Sequence, residues 1–192
     1  MVIPADLSIL RSRVVPSLGG DTVFSSCVAA YAGLPDAVKQ QIRYLKAWHG
    51  SGYSRTSNAH SRQGLFNAAN QAPDPRPDVA QSLVRIHPET GKPVPYFHEI
   101  AGAIIGLTPA EDERLRTLLF DQIKKPEYQM RVRWTANAIT VWDNRAVLQY
   151  AVADYSEPRE MERITVAGIE PCIGFADLEG DPALRARFPA TA

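Results

Sequence analysis

The sequence has only two cysteines in 192 residues, Cys27 and Cys172. Two are too few for a disulfide framework, and neither belongs to a Cys-x-x-Cys pair. Both are therefore expected to be buried, reduced thiols in a cytoplasmic protein. Charge of neither sign is in excess: Lys+Arg and Asp+Glu are both 21, and the net charge is zero. That balance argues against nucleic acid or an anionic membrane surface as the main partner. No apolar run reaches transmembrane length. The opening residues, Met1 to Asp6, lack the basic-then-apolar order of a signal peptide. Histidine is scarce, with His49, His60, His87 and His98 alone, and no two have the spacing of a metal site on one helix or strand. There is no internal repeat and no sign of a second domain. Apolar residues make up 45% and charged residues 22%, ordinary values for one globular domain with a core.

Along the chain, Asp6–Val15 alternates and reads as a strand, with Arg11 and Arg13 on one face and Leu10, Ser12 and Val14 on the other. The chain opens almost directly into this strand, as a fragment would. Pro16–Asp21 reads as a turn in which Gly19-Gly20 permits positive φ, and Thr22–Ser25 is β-prone. Ser26–Gly33 and Pro35–Trp48 read as helices; Val38, Ile42, Leu45 and Trp48 recur at helical spacing. Residues 50–77 are polar, with few apolar anchors, and read as a long lid-like loop carrying Tyr53, Arg55 and His60. Val79–Ile86 and Pro93–Phe97 flank a turn and predict a hairpin. Thr108-Pro109-Ala110-Glu111 is a capping box opening a helix with a buried stripe of Leu115, Leu118, Leu119 and Ile123. Tyr128–Trp134 alternates as a strand. Thr140–Trp142, the polar turn Asp143-Asn144-Arg145 and the run Ala146–Tyr155 read as a strand, a tight turn and a returning strand. This arrangement delivers Arg159 and Arg163 to one end as an anion pocket. Glu162–Val166 reads as a last strand, and residues 171–192 as a solvated C-terminal tail. Many short strands with a few helices predict a mainly β α+β domain, its helices packed outside a sandwich or barrel.

Several motifs converge on one family. Trp142-Asp143-Asn144-Arg145, followed by Tyr150-Ala151 and Asp154-Tyr155, resembles the C-terminal signature of the TauD/TfdA family of Fe(II)- and 2-oxoglutarate-dependent dioxygenases. Pro16–Thr22, Arg85–Gly91 and Lys125–Trp134 resemble further segments of it. The resemblance covers about Leu7 to Gly168. It implies a double-stranded β-helix (jelly roll) with flanking helices, truncated at its N-terminus, as a single domain over residues 1–192 with a core at about 7–168. It also implies 2-oxoglutarate and Fe(II) as cofactors and a small anionic substrate. Thr22 falls on the residue that helps bind the 2-oxoglutarate carboxylate, and Arg159, after a one-residue gap, on the arginine that pairs with the cosubstrate's distal carboxylate. Arg163 falls on a second arginine, near the substrate or cosubstrate anion. A planar guanidinium matches a carboxylate bidentately, so these residue types suit those roles.

The family's metal centre uses two His and one carboxylate. Its His-x-Asp pair does not occur in this sequence, and the position of the distal His is held by Gln149. His87-Pro88-Glu89 has literal His-x-Glu spacing but reads as a surface turn; Tyr53, His98 and Gln149 are candidates for the pocket wall. Three readings stay open. The chain is a dioxygenase whose His-x-Asp lies upstream, a degenerate member that binds a small carboxylate or sulfonate or serves as a scaffold, or a chain whose ligands come from a partner. Uncovered sheet edges further predict a homo-oligomer.

Overall fold

The computed structural model describes residues 3–49, 79–98 and 101–189. The lid expectation for residues 50–77, and with it Tyr53, Arg55 and His60, falls outside them. Two three-stranded antiparallel sheets enclose one core. The first has strands β1 (Leu7–Val14), β8 (Ile139–Asp143) and β10 (Glu160–Val166) in the order β10-β1-β8. The second has β2 (Thr22–Ser26), β7 (Gln129–Val132) and β9 (Val147–Ala151) in the order β7-β2-β9. Leu10, Phe24, Trp134 and Trp142 are buried between them, with the Phe24 and Trp142 rings 5.2 Å apart edge to face. This is the double-stranded β-helix expected from the sequence.

The strands flanking Asp143-Asn144-Arg145 do not pair with each other, contrary to the strand-and-return reading. β8 hydrogen-bonds to β1 and β9 to β2, so the turn carries the chain from one sheet to the other. The turn itself is held by short bonds. The Asp143 carboxylate accepts from the Arg145 backbone N–H at 2.7 Å, and Asn144 N–H donates to Asp6 C=O at 2.8 Å. Ala146 N–H donates to Asp143 C=O at 3.3 Å and closes the turn, but beyond it the ladder groups of β8 are taken by β1 and those of β9 by β2.

A second core lies beside the barrel. It is built by α1 (Cys27–Ala32), α2 (Asp36–Ile42), β3 (Lys46–His49), β4 (Val79–Ser82), β5 (Val84–Ile86), β6 (Pro93–Pro95) and α3 (Pro109–Ile123). The helix expected over Pro35–Trp48 stops at Ile42. Lys46–His49 is a strand paired with β4, because Ala47 is buried and its backbone completes a ladder. Val79–Ile86 is two strands rather than one: β4 pairs with β3, while β5 pairs with β6 as the expected hairpin. In α3 the capping box is present, with Glu111 N–H donating to Thr108 Oγ1 and Thr108 N–H to Glu111. Leu115, Leu119 and Ile123 are buried as expected, but Leu118 is 39% exposed; Asp112, Arg116 and Gln122 are buried instead.

The chain beyond Pro171 is not a solvated tail. It forms β11 (Ile173–Gly174) against β5, then α4 (Phe175–Gly180) and α5 (Pro182–Arg187). Ile173, Phe175, Leu178 and Phe188 are buried in the second core. Four large apolar side chains within sixteen residues supply enough apolar area to hold such a segment down.

Candidate active-site cleft

The Pro16–Asp21 turn brings distant side chains together. Gly19 and Gly20 have φ of +75° and +70°, conformations that suit glycine. A Cβ on Gly20 would also meet the Arg159 side chain at 3.1 Å. Arg159 Nε donates to Gly20 C=O at 2.8 Å, and its Nη2 approaches Thr22 Oγ1 at 3.4 Å. Thr22 is fully buried and also accepts from Trp134 Nε1 at 2.9 Å. The structure thus brings Thr22 and Arg159 together, with the threonine beneath the guanidinium.

Arg163 enters the barrel from β10. Its Nη2 donates to Ser8 Oγ at 2.9 Å, and its guanidinium lies 5.3 Å from the centre of the Trp142 ring. Ser8 in turn donates to Asn144 Oδ1 at 3.0 Å. Beyond Arg163 opens a cleft of about 480 Å³. Its walls include Phe97, Phe120, Trp142, Val147 and Leu148, and the pocket candidates Gln149 and His98 also line it. Its ionisable lining includes Lys124, Arg145 and Arg163, and no aspartate or glutamate among the described residues faces it. Thr22 and Arg159 are not part of this wall.

Lys124, Arg145, Asn144 and Phe120 were missed as pocket residues. Lys124 caps the C-terminal end of α3. Arg145 had read as a turn residue. It is one, since it forks onto the Asp143 carboxylate at 2.7 Å, but its other side faces the cleft. Burial raises the Asp143 pKa, yet hydrogen bonds from Arg145 and His87 outweigh it and hold the carboxyl below its ordinary value.

His87 is buried, not on a surface hairpin. Its Nδ1 accepts from the N–H groups of Glu89 and Thr90 at 3.2 and 3.3 Å. Its Nε2–H therefore donates to Asp143, at 2.9 Å. Both nitrogens are committed, so His87 ties the hairpin to the crossover turn. His49 and His98, 49 positions apart, meet with Nδ1 and Nε2 3.2 Å apart, while His49 stacks on Tyr96. Burial first, then the fields of His98, Arg85 and Arg116, push the His49 pKa down to about 3.

A redox metal with open positions needs three convergent protein ligands. Among the described residues no three of His, Cys, Asp or Glu converge. Gln149 offers a neutral amide, and the one close histidine pair is spent on a mutual hydrogen bond. The described residues do not fit an iron centre.

Comparison with known proteins agrees with this architecture. Residues 1–165 match the model of the taurine catabolism dioxygenase TauD, TfdA family. The chain belongs to that family. It is 31% identical over 182 residues to an alkylsulfatase of Acinetobacter baylyi, covering 93% of this chain and 57% of that protein. It is 34% identical over 172 residues to an (S)-phenoxypropionate/alpha-ketoglutarate-dioxygenase of Sphingobium herbicidovorans, covering 88% and 59%. Among solved structures, AAD-2 in complex with Mn(II) and N-oxalylglycine superposes with a TM-score of 0.75 at 34% identity, over 89% of this chain and 66% of that one. A taurine dioxygenase from Burkholderia xenovorans gives 0.74 at 29%, over 92% and 58%. The chain thus spans a little over half the length of these curated relatives.

Proposed function

We propose that the cleft binds a small organic anion with an apolar body, the substrate class of a 2-oxoglutarate-dependent oxygenase. One observation carries the reading: the cleft has apolar walls, and its charged lining is cationic, with no carboxylate among the described residues. An aromatic or alkyl acid finds there both a desolvated body site and a counter-charge. Arg163 is the anchor, held by Ser8 and backed by Trp142. The relatives' names, an alkylsulfatase and a phenoxypropionate dioxygenase, point to the same ligand chemistry. Nucleic acid and membrane form no part of the reading. The two unpaired cysteines accord with a cytoplasmic setting.

In the same proposal 2-oxoglutarate uses Arg159, with Thr22 behind it. A carboxylate reaching Arg159 replaces the weak 3.4 Å contact to Thr22 with bidentate charge-assisted bonds. No oxidative step is assigned to the described residues, because they do not fit the metal that supplies it. The residue set favours a second reading as well, in which the chain binds these anions without redox chemistry.

The test is anaerobic calorimetric titration of 2-oxoglutarate, with and without Fe(II). Binding without iron, lost in Arg159→Ala, is the expected result. Binding that requires Fe(II) would show a ligand set outside the described residues. No heat in either condition would refute the cosubstrate assignment.

A further inference from the structure

Arg85 is buried without a carboxylate partner among the described residues. It lies on β5, between Val94 of β6 and Gly174 of β11, and is 5% exposed. Its guanidinium packs over the Tyr96 ring and hydrogen-bonds the Tyr96 side chain. Its Nε and Nη2 groups find no acceptor among the described residues. Cys172 is another close neighbour, but burial pushes that thiol's pKa up, so it supplies no negative charge. An enclosed charge with unmet N–H groups is costly unless something balances it. Arg85 also lines a cavity of about 30 Å³, distinct from the anion cleft but sharing Arg145 with it. Asp6, Glu170 and His87 line the same cavity, and all three are engaged elsewhere. Asp6 faces Arg145 at 3.8 Å, Glu170 pairs with Arg187 at 3.0 Å, and both His87 nitrogens are committed.

We infer that this cavity binds a single halide ion, chloride or bromide, held by Nε and Nη2 of Arg85. Size selects the class. A cavity of that volume holds one or two water-sized groups, so it admits a monatomic anion and excludes an organic carboxylate. Charge selects a halide over water. Water accepts the two N–H bonds but leaves the guanidinium charge unbalanced, whereas a halide accepts both and supplies the counter-charge. The site stands apart from the anchor of the cleft, because Arg163 does not line this cavity.

Urea denaturation tests this, with sodium chloride replacing sodium gluconate at constant ionic strength; gluconate is too large for the cavity. The wild-type midpoint rises with chloride along a saturating curve, as it does for a ligand that binds only the folded state. Arg85→Met, which removes the charge and keeps most of the volume, has a midpoint indifferent to the exchange. Arg11→Gln, at an exposed arginine outside the cavity, keeps the wild-type response. A wild-type midpoint that does not move, or a chloride response equal in Arg85→Met, overturns the inference. Anomalous diffraction from wild-type crystals soaked in sodium bromide decides it without any variant, should Arg85→Met fail to fold. A bromide peak against Arg85 in the cavity is the expected result. A cavity that holds only water in that map overturns the site.

Discussion

His49 is kept neutral by its surroundings. Burial and the neighbouring His98, Arg85 and Arg116 all disfavour its cation, and its pKa falls to about 3 from an ordinary value near 6.5. The folded state thus refuses a proton that the unfolded chain accepts below about pH 6.5. Its stabilising effect is fully present above that pH and is lost as pH falls toward 3. The ring is not wholly enclosed, so the loss is below the limit of ~1.4 kcal/mol per pH unit for one proton. Denaturant midpoints at pH 5 and pH 7 should differ more in the wild type than in His49→Phe, which keeps the stacking on Tyr96 without the titrating nitrogens. Equal differences would contradict this. Residue identity made Thr22, Arg159, Arg163 and Gln149 stand out in the sequence. It could not say that Thr22 lies under Arg159, or that His49 and His98 touch, because both facts depend on packing between segments far apart in the chain.

Helix α3 shows how far local rules reach. Its start was legible because a capping box is written in four consecutive residues. Its buried face was only partly so: Asp112 and Arg116, one turn apart, lie outside the expected apolar stripe but are enclosed. Arg116 Nε bonds both Asp112 oxygens at 3.0 Å, and its Nη atoms donate to the carbonyls of Ala101 and Gly102. Asp112 also accepts from Ile104 N–H at 3.0 Å. The pair therefore fastens the 101–104 segment to the helix. Removing one partner strands the other charge in the core, so Asp112→Ala should cost about 3–5 kcal/mol in chemical denaturation. A loss under about 1 kcal/mol would mean that the pair behaves as a surface ion pair. The misread elements have a common cause. Lys46–His49 has helix-compatible spacing yet becomes a strand because β4 is there to pair with it. The segment from Ile173 to Phe188 is too short to advertise a core of its own, and is buried only because the second core accepts it.

For the molecule as a whole, the two-sheet barrel and its family were legible because the turn and hairpin motifs are local in sequence, although the Asp143–Arg145 crossover was not. The cleft was legible only in outline. Arg163, Gln149 and His98 were named in the sequence and line it, but its charge pattern also needs Lys124 and Arg145, which converge from a helix end and a crossover turn 21 positions apart. Thr22 and Arg159 lie outside that wall, so the proposal puts the cosubstrate anion and the substrate anion at separate places. The account rests on the cleft holding an apolar acid through Arg163. The most direct measurement is calorimetric titration of phenoxyacetate into the wild type and Arg163→Met in the presence of EDTA, with phenoxyethanol as the neutral control. The account predicts phenoxyacetate binding in the wild type and a loss of about tenfold or more in Arg163→Met, with the weak binding of the neutral analogue unchanged. Equal affinity of the two proteins for phenoxyacetate, or no binding by the wild type, would contradict it.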